Sequence, residues 1–333
     1  MSENKLKVVA MMDGTIPDTS PVEAPPLRKR EKQDNALRAE FERRWLRNPE
    51  QFNPASSILE QERLERCWDL IAPLLSPGIR VADLGCGWGV LAKRMREAGA
   101  QVDAVDISNN ALRRFDEEGA AGIRLIRGTL PFTPLEDGTY DLVVCTDVVA
   151  DLQGHDRRLL VSELTRLINS QGKLICSTAL DTRTDNALEL FLSLLQTECK
   201  LHKGKLSYHG LWLQLRTWLE KPDYYLKLAT DRAFFRKEWE RSNRIKKRWL
   251  ELQSTTPFRS WWKLRQKIHK PWLQKMLTSR ATLLKLEAFC RRWRPDTTRS
   301  HVIVLATRRP LEEDLRISPH DDRQARLEKC IWT

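Results

Sequence analysis

The chain has 333 residues, enough for two modest domains or for one domain that carries a large insertion. Its hydrophobic content of 41% is too high for a wholly disordered protein and too low for one with many membrane spans. The formal net charge is +12, but it is unevenly distributed. Residues 200–300 hold 26 basic and eight acidic residues, a net charge of +18, whereas the remainder carries −6.

No apolar run approaches the roughly 18 residues that a membrane span requires. The apolar stretch that follows Lys7 ends at Asp13, too early for a signal peptide. The seven cysteines are scattered and never form a Cys-x-x-Cys pair, so we expect neither a disulfide framework nor a metal site. Reduced thiols in a cytoplasmic protein are the simplest interpretation.

In chain order, residues 1–33 are polar and proline-rich, and we predict a disordered arm. Residues 34–78 follow as N-terminal helices, with apolar residues at helical spacing in Asp34–Arg47 and again in Ile58–Leu75. Asn-Pro pairs separate these two helices.

From residue 79 to 199 short apolar strands alternate with helices, which predicts βαβ units and a mostly parallel sheet. A last core strand follows at 301–310, before a C-terminal tail at 311–333, so residues 200–300 form an insertion before that strand. A sixth strand is either absent or lies within the insertion, near Leu206–Leu215. The predicted strands are Ile79–Leu84, Gln101–Val105, Ile123–Ile126, Tyr140–Cys145, Lys173–Ser177 and His301–Thr307; the predicted helices between them are Trp88–Ala98, Asn109–Glu118 and Arg157–Asn169.

A glycine-rich turn joins the first predicted strand to its helix. The turn reads Asp83-Leu-Gly-Cys-Gly-Trp-Gly89, and alternate glycines let the backbone approach a ligand where a Cβ atom would collide. The helix that begins there presents free amides to ligand oxygens. Asp106 ends the next strand, 21 residues after Gly85, where a carboxylate can accept hydrogen bonds from both ribose hydroxyls.

These residues resemble the cofactor site of class I S-adenosylmethionine-dependent methyltransferases, whose first motif is acid-x-Gly-x-Gly-x-Gly. More narrowly, the runs Gly128–Phe132, Gly138–Val144 and Leu159–Ser177 are similar to those of the ubiquinone and menaquinone methyltransferases. The resemblance covers about 58–180 and 301–309. It implies a Rossmann-like, doubly wound, mostly parallel α/β sheet, S-adenosyl-L-methionine as cofactor and methyl transfer to a small-molecule or lipid-linked acceptor.

The resemblance also assigns roles to individual residues. Asp83 would direct the amino end of the methionine moiety, Asp106 would hold the ribose and Leu130 would flank the adenine. The sequence departs from the group where Thr129 replaces an adenine-binding acid and where Ala150-Asp151 replaces Glu-His. The cofactor-binding residues implied in this way are Asp83, Gly85, Cys86, Gly87, Gly89, Asp106, Ile107, Thr129, Leu130 and Cys145.

Methyl transfer from a sulfonium is mainly a matter of positioning, and it needs a general base only when the acceptor is a weak acid such as a hydroxyl. Candidates for that base near the carboxyl edge of the sheet are Asp147, Asp151 and His155, with Tyr208 and His209 in the insertion.

The insertion contains eight of the twelve tryptophans, and these fall with Leu and Ile at helical spacing between Lys and Arg. One interpretation is that the apolar stripes simply pack a helical subdomain. A second is that basic amphipathic helices bind an anionic membrane surface. A third is that the basic residues neutralise the phosphates of RNA while the tryptophans stack on its bases. Because the apolar stripes suggest that the tryptophans are buried rather than exposed, nucleic acid is less favoured. A non-catalytic cofactor-binding relative is a further alternative.

Overall fold

The structure is a computed structural model that describes residues 27–152, 154–181 and 186–309. The chain divides into two compact units, each described here by itself. The first contains the described residues up to Ser207 and from Arg299 onward, and the second is Tyr208–Thr298. Most of the predicted arm and the predicted C-terminal tail lie outside the described residues.

The first unit is built on a seven-stranded sheet of order β3-β2-β1-β4-β5-β7-β6. Strands β1 to β5 pair in parallel, whereas β7 is antiparallel to both of its neighbours. The predicted α/β fold with a mostly parallel sheet is therefore confirmed. The strands are β1 (Arg80–Leu84), β2 (Gln101–Asp106), β3 (Ile123–Arg127), β4 (Tyr140–Thr146), β5 (Ile168–Ala179), β6 (Cys199–Ser207) and β7 (His301–Arg308).

Helices connect these strands in the first unit and form the second unit. Those of the first unit are α1 (Leu27–Arg47), α2 (Ile58–Ile71), α3 (Val90–Glu97), α4 (Asn109–Glu117), α5 (Gly154–Leu167) and α6 (Ala187–Gln196). Those of the second are α7 (Gly210–Thr230), α8 (Arg232–Glu240), α9 (Arg244–Ser254), α10 (Thr256–Thr278), α11 (Arg280–Trp293) and α12 (Pro295–Thr298).

Both faces of the sheet are covered, because successive strand residues point to opposite sides. On β1, Val81 joins the apolar cluster that α2 and α3 complete, whereas the next residue, Ala82, joins the cluster of α5 and α6. Phe115 of α4 and Phe191 of α6 fill these two layers and are almost completely buried. Burial on both faces explains why the central strands read as continuous apolar runs.

Several boundaries differ from the sequence prediction, among them the start of β5, which is Ile168 rather than Lys173. Helix α1 begins at Leu27 rather than at Asp34, since no proline or glycine interrupts the chain after Pro26. The sixth strand is Cys199–Ser207, so residues 200–207 belong to the sheet and not to the insertion. It was missed because β6 is an edge strand whose lysines break the apolar pattern, a common protection against edge-to-edge pairing.

The topology places the strand ends that matter for function along one edge. His301, the first residue of β7, pairs with Ala179 near the end of β5 and with Ser207 at the end of β6. Because β7 is antiparallel, its first residue lies at the carboxyl edge of the parallel strands. The chain therefore leaves the first unit at Ser207 and returns at Arg299 along this same edge.

The second unit has a small apolar core. Trp212 and Trp262 are buried, and Leu228, Phe234 and Leu250 form a separate buried cluster. To this extent the interpretation that apolar stripes pack a helical subdomain is correct. Other large apolar side chains of the unit are exposed, however. These are Trp218, Ile245, Trp249, Leu252, Trp261, Leu264, Ile268, Trp272, Leu284, Phe289 and Trp293.

Within the described residues, the search for a helix both long enough and apolar enough to span a bilayer finds none.

Candidate functional site

The glycine-rich turn after β1 has the geometry that the sequence predicts. Gly85, Gly87 and Gly89 all adopt positive φ, at 78°, 50° and 68°. A Cβ atom on Gly85 would lie 2.4 Å from Cγ2 of Val148, and one on Gly89 would lie 2.1 Å from the ring of Phe115. Both the dihedral angles and the close contacts therefore require glycine here.

Asp106 ties this turn to the end of β2. Its side chain is only 8% exposed. Oδ2 accepts a hydrogen bond from the amide of Gly87 at 3.0 Å, and Oδ1 accepts one from the amide of Ser108 at 2.9 Å. The carboxylate thus fixes two neighbouring loops at the carboxyl edge of the sheet, where ligands of α/β proteins bind.

A second buried carboxylate, Asp83, lies on β1 and is 2% exposed. Burial, and then the nearby charge of Asp106, raise the pKa of Asp83 to about 7. Burial also raises the pKa of Asp106 to about 6, despite the hydrogen bonds that it accepts from backbone amides. Ionising either carboxyl group in this buried place therefore costs free energy, and a positively charged ligand would offset that cost.

Helix α1 closes over the same loops, which the sequence prediction missed. The carboxylate of Glu42 accepts hydrogen bonds from the Ser108 hydroxyl at 2.9 Å and from the amides of Asn109 and Asn110 at 2.7 and 3.1 Å. It also accepts one from the Asn110 side chain at 2.7 Å. Glu42 therefore caps the N-terminus of α4 from another helix. Burial raises its pKa, but these donors outweigh that effect and lower it overall.

Two further contacts of α1 reach predicted cofactor-binding positions. Nη2 of Arg38 donates a hydrogen bond to Oγ1 of Thr129 at 3.1 Å. Trp45 is buried against Trp88, and its ring would lie 3.7 Å from a Cβ atom on Gly87. The apolar spacing of α1 signalled that the helix packs, but not onto which loops.

The remaining predicted cofactor-binding residues differ in how far their side chains are buried. Cys86 and Ile107 are partly buried in the loops after β1 and β2. Leu130 packs in part against the apolar core, and Cys145 is wholly buried within it. Their contacts with a cofactor stay predictions.

The structure brings together two of the three predicted catalytic residues. Asp147 follows β4, and its charge contributes to the pKa of Asp151, which burial raises to about 6. Neither ring nitrogen of His155 has a hydrogen-bond partner among the described residues. Instead, Asp147 pairs with a histidine that was not predicted, His301, at 2.8 Å. The only available signal was the position of His301 at the start of the last strand.

Tyr208 and His209 belong to the second unit, where both contact Glu287. Within the described residues, no group of three or more His, Cys, Asp or Glu side chains is arranged to hold a metal ion.

Comparison with known proteins agrees with this geometry. Residues 82–176 match a family described as a methyltransferase domain. The chain is 31% identical over 145 residues to a ubiquinone biosynthesis O-methyltransferase of Ralstonia nicotianae, a match that covers 42% of this chain and 58% of the relative. A protein of the same name from Bordetella avium is 30% identical over 139 residues, covering 40% and 56%. The chain thus spans little more than half the length of these relatives.

Among solved structures, the chain is similar to an N-methyltransferase of Bradyrhizobium japonicum WM9 in complex with S-adenosyl-L-homocysteine. The identity is 16%, the match covers 51% of this chain and 89% of that one, and the TM-score is 0.44. It is also similar to a phosphoethanolamine N-methyltransferase of Haemonchus contortus in complex with S-adenosyl-L-methionine. Here the identity is 15%, the match covers 74% of this chain and 53% of that one, and the TM-score is 0.41.

The sheet order, the glycine-rich turn and the family match define a class I methyltransferase domain. This domain belongs to the S-adenosylmethionine-dependent class and resembles the ubiquinone group within it. The cofactor of that class is S-adenosyl-L-methionine.

The residues present fit this cofactor. It carries a positively charged sulfonium and an ammonium group, and the site contains the buried carboxylates of Asp83 and Asp106. Asp106 can accept hydrogen bonds from ribose hydroxyls, and its bond to the amide of Gly87 holds the glycine-rich turn beside it. When bound, the cofactor supplies an activated methyl group.

We expect Asp106→Asn to weaken the binding of S-adenosylhomocysteine at least about tenfold. A hydrogen bond to a charged group contributes about 1.5–3 kcal/mol, and about 1.4 kcal/mol is a factor of ten. Calorimetry measures the affinity, with Asp116→Asn, an exposed change at the end of α4, as the matched control. Unchanged affinity in a folded Asp106→Asn variant would contradict the assignment.

The raised pKa values of Asp83 and Asp106 predict how the stability of the cofactor-free chain depends on pH. Both values lie above the ordinary 3.8, so folding favours the protonated forms. This stabilisation is complete below about pH 4 and is lost as the pH rises through about 6 to 7. Asp83→Asn removes one of the two charges, and we expect it to raise the melting temperature near pH 8 but not near pH 5. Equal shifts at both pH values would count against charge as the cause.

Because Glu42 caps α4, we expect Glu42→Ala to destabilise the chain by about 1–2 kcal/mol and to weaken cofactor binding. Thermal denaturation and calorimetry test the two effects. The control is Glu40→Ala, which truncates an exposed residue of the same helix. If Glu42→Ala behaves like that control, the Glu42 cap supports neither the stability of the chain nor cofactor binding.

Proposed function

We propose that the protein is an S-adenosylmethionine-dependent methyltransferase that acts on a small-molecule or lipid-linked acceptor at the cytoplasmic face of an anionic membrane. The observation that carries the methyl-transfer part is the buried Asp106 carboxylate, which joins the glycine-rich turn to the loop after β2. The names of the relatives, which concern ubiquinone biosynthesis, support a small-molecule acceptor.

The chain's own contribution to the reaction is mostly positional. The loops after β1 and β2 hold the methyl donor, and the loop after β4 lies at the same edge of the sheet. Alignment of an acceptor with the methyl group, together with exclusion of water, accounts for most of the catalysis in such a transfer.

The membrane part of the proposal rests on one face of α10. Trp261, Leu264, Ile268 and Trp272 recur at intervals of three or four residues, so they lie along one side of the helix. Their exposed fractions are 49, 59, 58 and 75%. On another side of the same helix Trp262 is buried, at 4%. The helix therefore packs through one face and presents a second apolar face to its surroundings.

Two basic residues of α10, Arg265 and Lys267, border this apolar face on its two sides, and Lys263 and Lys270 lie farther around the helix. The guanidinium of Arg265 stacks over Trp261 at 5.4 Å. The second unit as a whole contains 22 basic and eight acidic residues, a net charge of +14. Basic side chains that flank exposed tryptophan and aliphatic residues suit an anionic lipid surface, where each nearby Lys or Arg contributes about 1 kcal/mol.

RNA is the second candidate for this surface. The sequence argument that the tryptophans are buried is wrong for Trp218, Trp249, Trp261, Trp272 and Trp293, which are at least 42% exposed. Exposed aromatic rings can stack on bases. A lipid surface is favoured because Leu264 and Ile268 lie in the same stripe, and aliphatic side chains gain more from acyl chains than from bases.

Flotation of the full chain with vesicles tests the membrane proposal. We expect binding to vesicles that contain phosphatidylglycerol and little binding to phosphatidylcholine alone. Replacing Trp261, Leu264, Ile268 and Trp272 together with Gln is expected to lower the partition coefficient more than about tenfold, because their apolar surface no longer enters the bilayer.

The matched control is Leu46→Gln, which replaces an apolar residue that is 69% exposed in the first unit. Equal binding by the fourfold variant would contradict the role of α10. Salt-sensitive binding to tRNA without affinity for anionic vesicles would replace the membrane with RNA. Failure of the chain to transfer methyl groups to any acceptor in a cell extract would leave a non-catalytic binding protein.

A further inference from the structure

Asp147 has an unusual backbone conformation at the end of β4. Its φ is 59°, and among the described residues it is the only one other than glycine with positive φ. Its amide donates a hydrogen bond to the Ser177 carbonyl oxygen on β5 at 3.1 Å. Non-glycine residues adopt this conformation at a cost of about 1–3 kcal/mol, commonly where function requires it.

The carboxylate of Asp147 faces a histidine that is wholly buried. Oδ1 lies 2.8 Å from Nε2 of His301, whose side chain is 0% exposed, whereas that of Asp147 is 42% exposed. No partner for Nδ1 of His301 is found among the described residues. The hydrogen bond to the carboxylate therefore places the imidazole proton on Nε2. Solvent or a ligand can therefore reach Asp147 but not His301.

The groups around Asp147 keep it ionised. Burial raises the pKa of Asp147, but His301 and then Arg63 of α2 outweigh this and lower it to about 2. Three other titratable neighbours are Cys67, also on α2, Cys176 on β5 and Asp151 in the turn that follows. Asp147 therefore stays a carboxylate throughout the neutral range.

We propose that Asp147 is a catalytic residue that accepts the proton of a hydroxyl acceptor, and that His301 is the positioning residue that holds its carboxylate. This inference rests on the proposed methyltransferase function and names a catalytic and a positioning residue of the same site.

The choice of a hydroxyl over an amine follows from the charge of Asp147. An aliphatic or benzylic amine arrives protonated and must lose a proton before it has a free lone pair, and a carboxylate that stays ionised would stabilise the ammonium form instead. A hydroxyl oxygen has a free lone pair while it still carries its proton. A hydrogen bond to the carboxylate then orients the oxygen without blocking it.

The carboxylate of Asp147 is a weak base, and the path of the proton during methyl transfer is consistent with that. As the bond between the acceptor oxygen and the methyl carbon forms, the carbon–sulfur bond breaks and the sulfur keeps its electron pair. The oxygen becomes positively charged, so its proton becomes far more acidic than a carboxylic acid. Asp147 accepts this proton late in the transfer and, being partly exposed, releases it to water.

The test uses the full chain, S-adenosylmethionine with a labelled methyl group and anionic vesicles that contain either an alkylcatechol or an alkylbenzylamine, whose amine is protonated at neutral pH. We expect the catechol to be methylated and the benzylamine not. Asp147→Asn should lower kcat roughly a hundredfold, with the affinity for S-adenosylhomocysteine unchanged. Asp116→Asn, which lies away from the site, serves as the matched control.

The outcomes separate this inference from the proposed function. If S-adenosylhomocysteine does not bind the wild-type chain, the proposed function itself fails. If it binds but only the benzylamine, or neither probe, is methylated, the hydroxyl assignment is overturned. If Asp147→Asn methylates the catechol as fast as the wild type, the catalytic role of Asp147 is overturned.

The role of His301 has its own readouts. His301→Leu removes the donor and raises the pKa of Asp147, so kcat should fall as the solution becomes acidic, where the wild-type value does not. His301→Gln keeps an N–H donor and should restore most of the activity. In the cofactor-free chain, labelled with isotopic histidine, NMR should show a proton on Nε2 of His301 that shifts in Asp147→Asn. A loss of kcat that is equal at all pH values, with unshifted imidazole signals, would reduce His301 to a structural residue.

Discussion

The buried carboxylate of Asp106 is the interaction on which the candidate site depends. It accepts one hydrogen bond from an amide of the glycine-rich turn and one from an amide of the loop after β2. Two loops that follow different strands are therefore held at a fixed separation. Ser108, whose amide is one of these donors, also donates its hydroxyl to Glu42. Helix α1 is in this way linked to the same carboxylate, and cofactor loops and covering helix form one hydrogen-bonded group.

This arrangement trades stability for binding. Asp83 and Asp106 are held in a buried environment that favours their neutral forms, which costs the cofactor-free chain stability at neutral pH. A positively charged cofactor offsets that cost, so part of the folding free energy is returned on binding. Asp147 differs, because its neighbours keep it ionised. At the same edge of the sheet, the pKa values of Asp83 and Asp106 are thus raised, whereas that of Asp147 is lowered.

Local patterns in the sequence predicted the core, and long-range contacts limited what else could be predicted. Short apolar runs placed β1 to β4 within one or two residues, and the Asp83–Gly89 turn indicated the cofactor class. The β6 strand escaped because its lysines hide the alternation at an edge. His301 could not be assigned because its partner, Asp147, lies 154 residues away in the chain. Helical spacing of tryptophans shows that they share a face, but not whether that face is buried.

The positive net charge of the chain thus lies in a second unit that displays apolar and basic side chains together, while the first unit contains the candidate site. The central claim is that one edge of the sheet holds both the methyl donor and the group that receives the acceptor's proton. A crystal structure of the chain with S-adenosylhomocysteine tests it most directly. The account predicts ribose hydroxyls about 2.7–3.2 Å from the Asp106 carboxylate and the sulfur on the side of Asp147. A ligand bound away from Asp106, or with its sulfur directed away from Asp147, would contradict it.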